Sequence, residues 1–178
     1  MDHHLSHPVL LDRLDPGSRE WTITRLTINA MVRDLEACAP SAGAVVGGSL
    51  APVFEDFYAT LLATRHDLDW TLPLELGRYL RTDSGEVWSE LAVASVVRWL
   101  RRAEYGFTWV ALRVEQAPYR FFLGRRKRSL GEENELFACA DDDADPDSAS
   151  TSISYARGRG EAPEAASDIA WQPYHPLL

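Results

Sequence analysis

Glu86-Val-Trp-Ser-Glu-Leu-Ala-Val-Ala-Ser-Val-Val-Arg-Trp-Leu-Arg-Arg-Ala103, with Phe107-Thr-Trp-Val-Ala-Leu-Arg-Val-Glu115 close behind it, decides the fold class. The first run carries Val87, Trp88, Leu91, Val93, Val96, Val97, Trp99 and Leu100. These side chains occupy most of a helical circumference, so this helix is central or covers a sheet. Asp83 or Ser84 stands ready to cap it. The second run alternates instead. Val110, Leu112 and Val114 project from one face, and Phe107, Trp109 and Ala111 from the other, the period of a strand. Tyr119–Arg125 answers it across Gln116-Ala-Pro118, which predicts a β-hairpin. Two strands alone are marginal, so a third is expected from Trp21–Ile28, from Leu136–Ala140 or from a partner chain.

Upstream, Ser49 to Arg65 is a clear amphipathic helix. Ser49 caps it and Pro52 sits in its first turn; Val53/Phe54, Phe57/Tyr58 and Leu61/Leu62 form one apolar stripe opposite Glu55, Asp56 and Thr60. The segment from Trp21 to Ala39 is mixed. Its start alternates and is β-branched, whereas Ile28, Val32 and Leu35 recur at helical spacing; the reading is a helix from about Thr24 to Cys38, ended by Ala39-Pro-Ser-Ala-Gly43. Between the second and third helices, residues 66–83 form a connector with one short helical stretch near Leu74–Leu80. The expectation is therefore an α+β fold: three main helices with a C-terminal β-hairpin or small antiparallel sheet, then an acidic flexible tail.

After about Leu136 the chain becomes acidic and small, as in Cys139-Ala-Asp-Asp-Asp-Ala-Asp-Pro-Asp-Ser148. This predicts a lead-in segment at residues 1–17, a single compact domain at 18–140 and an acidic flexible linker at 141–167. Residues 168–178, Asp168-Ile-Ala-Trp-Gln-Pro-Tyr-His-Pro-Leu-Leu178, are aromatic again and read either as a docking peptide or as a terminus folded back on its own body. Among 178 residues, 46% are hydrophobic, including six each of Trp, Tyr and Phe, enough for a real core. The net charge of −9 opposes nucleic acid and anionic membranes. Two cysteines, Cys38 and Cys139, lie outside any CxxC pattern, which suits a reduced, cytoplasmic protein. No apolar run is long enough for a transmembrane helix, and no leader is visible.

Candidate chemistry is sparse. His66 and Asp67, with Asp69, offer a base and carboxylates for a small metal-dependent or acid–base enzyme, but no nucleophile motif accompanies them. His3, His4 and His7 lie in a terminal segment without a preorganised carboxylate or thiolate. Asp141, Asp143, Asp145 and Asp147 match the first odd positions of a calcium loop, but Pro146 stands where Gly is needed and Ser152 where the bidentate Glu belongs. Gly43–Ser49 is no phosphate loop. Arg125, Arg126, Lys127 and Arg128 form a basic knot for an acidic protein surface or, alternatively, for nucleic acid.

Leu10-Leu-Asp-Arg-Leu14, Arg25-Leu26 through Val32-Arg-Asp-Leu-Glu36, and Arg101-Arg-Ala-Glu104 leading into Val110-Ala-Leu-Arg-Val-Glu115 together resemble the baseplate-wedge family that includes TssE of type VI secretion systems. The family's Leu-Asn-Thr-Arg is here Ala37-Cys-Ala-Pro40, its Glu-Pro-Arg is Glu104-Tyr-Gly106, and residues 66–86 are an insertion. The resemblance implies a non-enzymatic structural subunit of a contractile assembly, with Glu104 as an interface residue.

The reading is thus a non-catalytic accessory or structural subunit that acts through protein–protein contacts, with a protein partner or a homo-oligomer, no cofactor, no metal and no membrane insertion. Trp171, Tyr174, Leu177 and Leu178 are its expected docking residues, and Arg125–Arg128 a secondary surface.

Overall fold

The computed structural model describes residues 10–63, 70–101, 107–115, 117, 121–125, 135–139 and 153–176. Among them are five helices and a five-stranded antiparallel sheet, an α+β architecture. The helices are α1 (Arg19–Cys38), α2 (Pro40–Val45), α3 (Ala51–Ala63), α4 (Leu72–Tyr79) and α5 (Gly85–Arg101). The strands are β1 (Trp109–Val114), β2 (Phe121–Arg125), β3 (Glu135–Cys139), β4 (Ile153–Gly158) and β5 (Gln172–Pro173). Their order across the sheet is β3-β2-β1-β4-β5.

Helix α1 starts five residues earlier than its sequence suggests. Ser18 caps it, its hydroxyl oxygen accepting from the Trp21 amide at 3.1 Å. Alternation in Trp21–Ile28 therefore does not make a strand, which removes that segment as a source of the third one. Thr22 and Thr27 are accommodated because their hydroxyls donate to the carbonyls of Ser18 (3.0 Å) and Ile23 (2.9 Å), one turn back. Ile28, Val32 and Leu35 are the buried stripe. Pro40, expected to end this helix, also opens α2, where a missing N–H is harmless.

Carboxylates hold the helical layer together. Glu36 of α1 accepts from the Ser49 hydroxyl and the Leu50 amide, both at 2.8 Å, at the start of α3. Glu90 of α5 accepts from the Ser41 amide and hydroxyl, both at 2.9 Å, in the first turn of α2. Asp34 of α1 pairs with Arg98 of α5 at 2.6 Å. Several acids are therefore spent on helix ends, where orphan amides favour negative charge.

Helix α5 joins two cores. Val87 and Leu91 belong to the helical core with Phe54, Phe57, Leu61 and Leu72. Trp88, Ala92, Val96, Trp99 and Leu100 belong to the core against the sheet, facing Val110, Leu112, Phe122 and Ile153. Val96 and Leu100 come so close to β2 that a side chain at Gly124 would lie 2.4 Å from Val96, so glycine is required there by space.

The strand register fixes the two faces. Val110, Leu112 and Val114 turn toward α5, whereas Ala111, paired with Leu123 on one side and Ala156 on the other, turns away. The far face is not bare. Residues 159–171 leave β4, cross this face and return as β5, so Ala111, Phe121, Leu123 and Ala156 pack with Ile169 and Trp171.

Two expectations are corrected here. Residues 153–158, in the stretch read as flexible linker (141–167), form β4 and pair along the whole of β1. The folded body therefore runs past residue 140, to the end of the described chain. Composition misled because β4 needs few large side chains: β1 supplies its ladder, and Ile153 and Ala156 fill faces that others already cover. The third strand expected beside the hairpin is Glu135–Cys139, one of the foreseen sources, and the antiparallel sheet has five strands among the described residues. Residues 141–147 lie outside the described residues.

Candidate protein interface

The expected docking aromatics face inward. Trp171 stands edge-on to Phe121, with ring centroids 5.9 Å apart and planes at 88°, and its indole N–H donates to the Ala166 carbonyl at 3.1 Å. The Arg113 guanidinium lies over its ring at 5.3 Å. Tyr174 continues past β5. Its amide donates to the Ile153 carbonyl at 2.8 Å, and its hydroxyl donates to the carboxylate of Glu75 in α4. Glu75 is fully buried. Burial, and next the hydrogen bond to Glu75, push the Tyr174 phenol well above the ordinary tyrosine range. This is a clasp in cis: Trp171 and Tyr174 follow the second of the two readings of the C-terminal segment, a terminus folded back on its own body.

An aromatic stack backs the clasp. Trp70 lies flat on Trp99, with centroids 4.1 Å apart and planes 5° from parallel. Tyr155 and Tyr174 tilt against Trp70 at 5.5 and 6.0 Å. These contacts tie the segment before α4, helix α5, β4 and the C-terminal return into one block.

Among the described residues, the sheet ends at β3 on one side and at the two-residue β5 on the other. Among the described residues, β3 pairs only with β2, so the other side of its backbone is unladdered. β3 also displays Leu136 (38% exposed) and Phe137 (45% exposed), one on each face. Natural edges are usually blunted by charge, proline or a bulge; β3 carries one charge, Glu135, at its first position, and Leu136-Phe-Ala138 carries none of these. Arg125, expected as part of a basic surface, is half-buried and its guanidinium lies 5.1 Å from the Phe137 ring. It stands opposite Glu135 in the register. Arg125 is thus part of this edge.

Several other expected residues lie outside the described residues: His66, Asp67, Asp69, Glu104, Arg126, Lys127, Arg128, Leu177 and Leu178, together with His3, His4 and His7. Among the described residues, no three of His, Cys, Asp and Glu converge to hold a metal ion, and no helix is long and apolar enough to cross a membrane.

Sequence reading missed Glu75 and Phe137. A lone Glu within Leu72-Pro-Leu-Glu-Leu76 was the available sign of a buried carboxylate, and the short apolar run Leu136-Phe-Ala-Cys139 was the sign of an edge. No protein-family model matches the chain, and no curated protein matches it.

Proposed function

We propose that the chain is a non-catalytic accessory or structural subunit that works through protein–protein contacts, and that the open edge of β3 receives an extended segment of a partner. The observation that carries this reading is that edge: among the described residues β3 ladders with β2 alone, and it exposes Leu136 and Phe137. An added strand would gain main-chain hydrogen bonds along β3 and would cover both side chains, one on each face. The resemblance to baseplate-wedge subunits points the same way, toward a component of a multi-subunit secretion or contractile assembly.

The test is co-purification of tagged full-length protein, with the mass of the product measured by light scattering, for the native chain and for Phe137→Lys. The reading expects a stoichiometric complex that Phe137→Lys dissolves while the circular-dichroism melting curve stays in place. A lone monomer under all conditions sinks it. A complex indifferent to Phe137→Lys moves the interface away from β3.

A further inference from the structure

Helix α1 has a second stripe that is exposed among the described residues. Arg19, Ile23, Leu26, Ala30, Arg33 and Ala37 follow one another at alternating spacings of four and three, and all six are exposed. They lie on the side of the helix opposite Ile28, Val32 and Leu35, which face the core. Ile23 is 52% and Leu26 64% exposed, the two largest exposures among the exposed large apolar side chains of the described residues. A surface helix normally carries one apolar stripe and a polar back. Here the back carries a seam with the heptad spacing of a two-helix contact, Ile23 and Leu26 occupying positions where isoleucine and leucine favour a two-stranded pairing.

We infer that this seam of α1 docks an amphipathic helix of a second protein whose apolar stripe is bracketed by two acidic residues. The brackets on this side are Arg19 and Arg33. They stand two heptads apart, about 21 Å along the axis, and an acid opposite each would pair with it. Ala30 leaves space for a large apolar side chain of the incoming helix. A second copy of this chain is a poor occupant. Its seam contains only arginine, isoleucine, leucine and alanine, so it brings no carboxylate to either arginine. A parallel pair sets each arginine on its own copy. An antiparallel pair centred on Leu26 sets Arg19 on Arg33. Like charges so placed oppose pairing.

This surface is on the helical layer, separate from the β3 edge, and the experiment keeps the two apart. The probes are two synthetic helical peptides with the same leucine-rich seam. One carries Glu at the two bracketing positions, and the other carries Lys there. Each is fluorescently labelled and titrated with the full-length protein, with anisotropy as the readout. The Glu peptide is expected to saturate and the Lys peptide not to. Leu26→Asp is expected to weaken binding by about tenfold or more, and Phe137→Lys to leave it unchanged. The double variant Arg19→Glu/Arg33→Glu should reject the Glu peptide and accept the Lys peptide, a swap that a merely destabilised helix would not produce. Three results overturn the inference: neither peptide saturates, both bind alike, or Leu26→Asp changes nothing. A fourth is a concentration-dependent dimer, seen by light scattering, that Leu26→Asp abolishes, because the occupant is then a second copy.

Discussion

Tyr174 and Glu75 are 99 residues apart in sequence and joined through one proton. Tyr174→Phe keeps the ring against Trp70 but removes that donor from a fully buried carboxylate. Removing a hydrogen bond to a buried charged group typically costs about 1–3 kcal/mol. The expected result is a lower urea midpoint at an unchanged slope; an unchanged midpoint would mean that the phenol contributes packing alone. Tyr79 makes a related contact with Asp56 of α3. Burial first, then the hydrogen bond and the charge of Asp56, push its phenol up to about 12 from 10.0. The raised value means that the folded chain holds the phenolic proton more tightly than the unfolded chain does. The resulting stability is complete below pH 10.0 and is lost as pH rises through about 12. Urea melts across that window should show falling stability. In Tyr79→Phe the fall should be shallower, with the remainder due to Tyr174 and Tyr58, whose shifts have the same sign.

At the scale of single elements, helix α1 shows how a local signal is overruled. Eight residues of β-branched alternation lose to one cap and a buried stripe. Ser18→Ala should lower stability by about 1 kcal/mol, read from thermal melts, with the loss of helical signal confined to the first turns. No change would assign the start of α1 to tertiary packing. Helix α5 was legible because its apolar circumference is wider than any surface helix needs, and that width is what binding two cores requires. The hairpin was legible from its period of two. Strand β4 was not, because Ile153-Ser-Tyr-Ala-Arg157 carries little apolar mass and gains its place from β1. The open edge was legible only as an unpaired strand option, since solvent exposure belongs to the assembled sheet. The clasp was half legible: Trp171 and Tyr174 announced a docking segment, but nothing in their spacing named Glu75 as the receptor. The seam on α1 was written in plain heptad spacing and was hidden by the β-like reading of its first half.

The whole molecule is a sheet between two unequal covers, helix α5 on one face and the chain from residue 159 to 171 on the other. A chain ending at Gly158 would lose Ile169 and Trp171 from the second cover and bare Phe121 and Leu123. Each such side chain contributes about 1.5–3 kcal/mol when buried, so the total is comparable with the whole stability of a small domain, about 5–15 kcal/mol. The shortened chain should bind a hydrophobic dye and melt without a sharp transition; a melting curve matching that of the full chain would show the second cover to be dispensable. The order of synthesis gives this cover a further meaning. Residues 153–176 leave the ribosome after everything they close upon. Until then the central strand β1 lacks one neighbour, and Phe121 and Leu123 stand open to chaperones. An interrupted message yields a product that displays that unfinished face, with Phe121 and Leu123 uncovered on it.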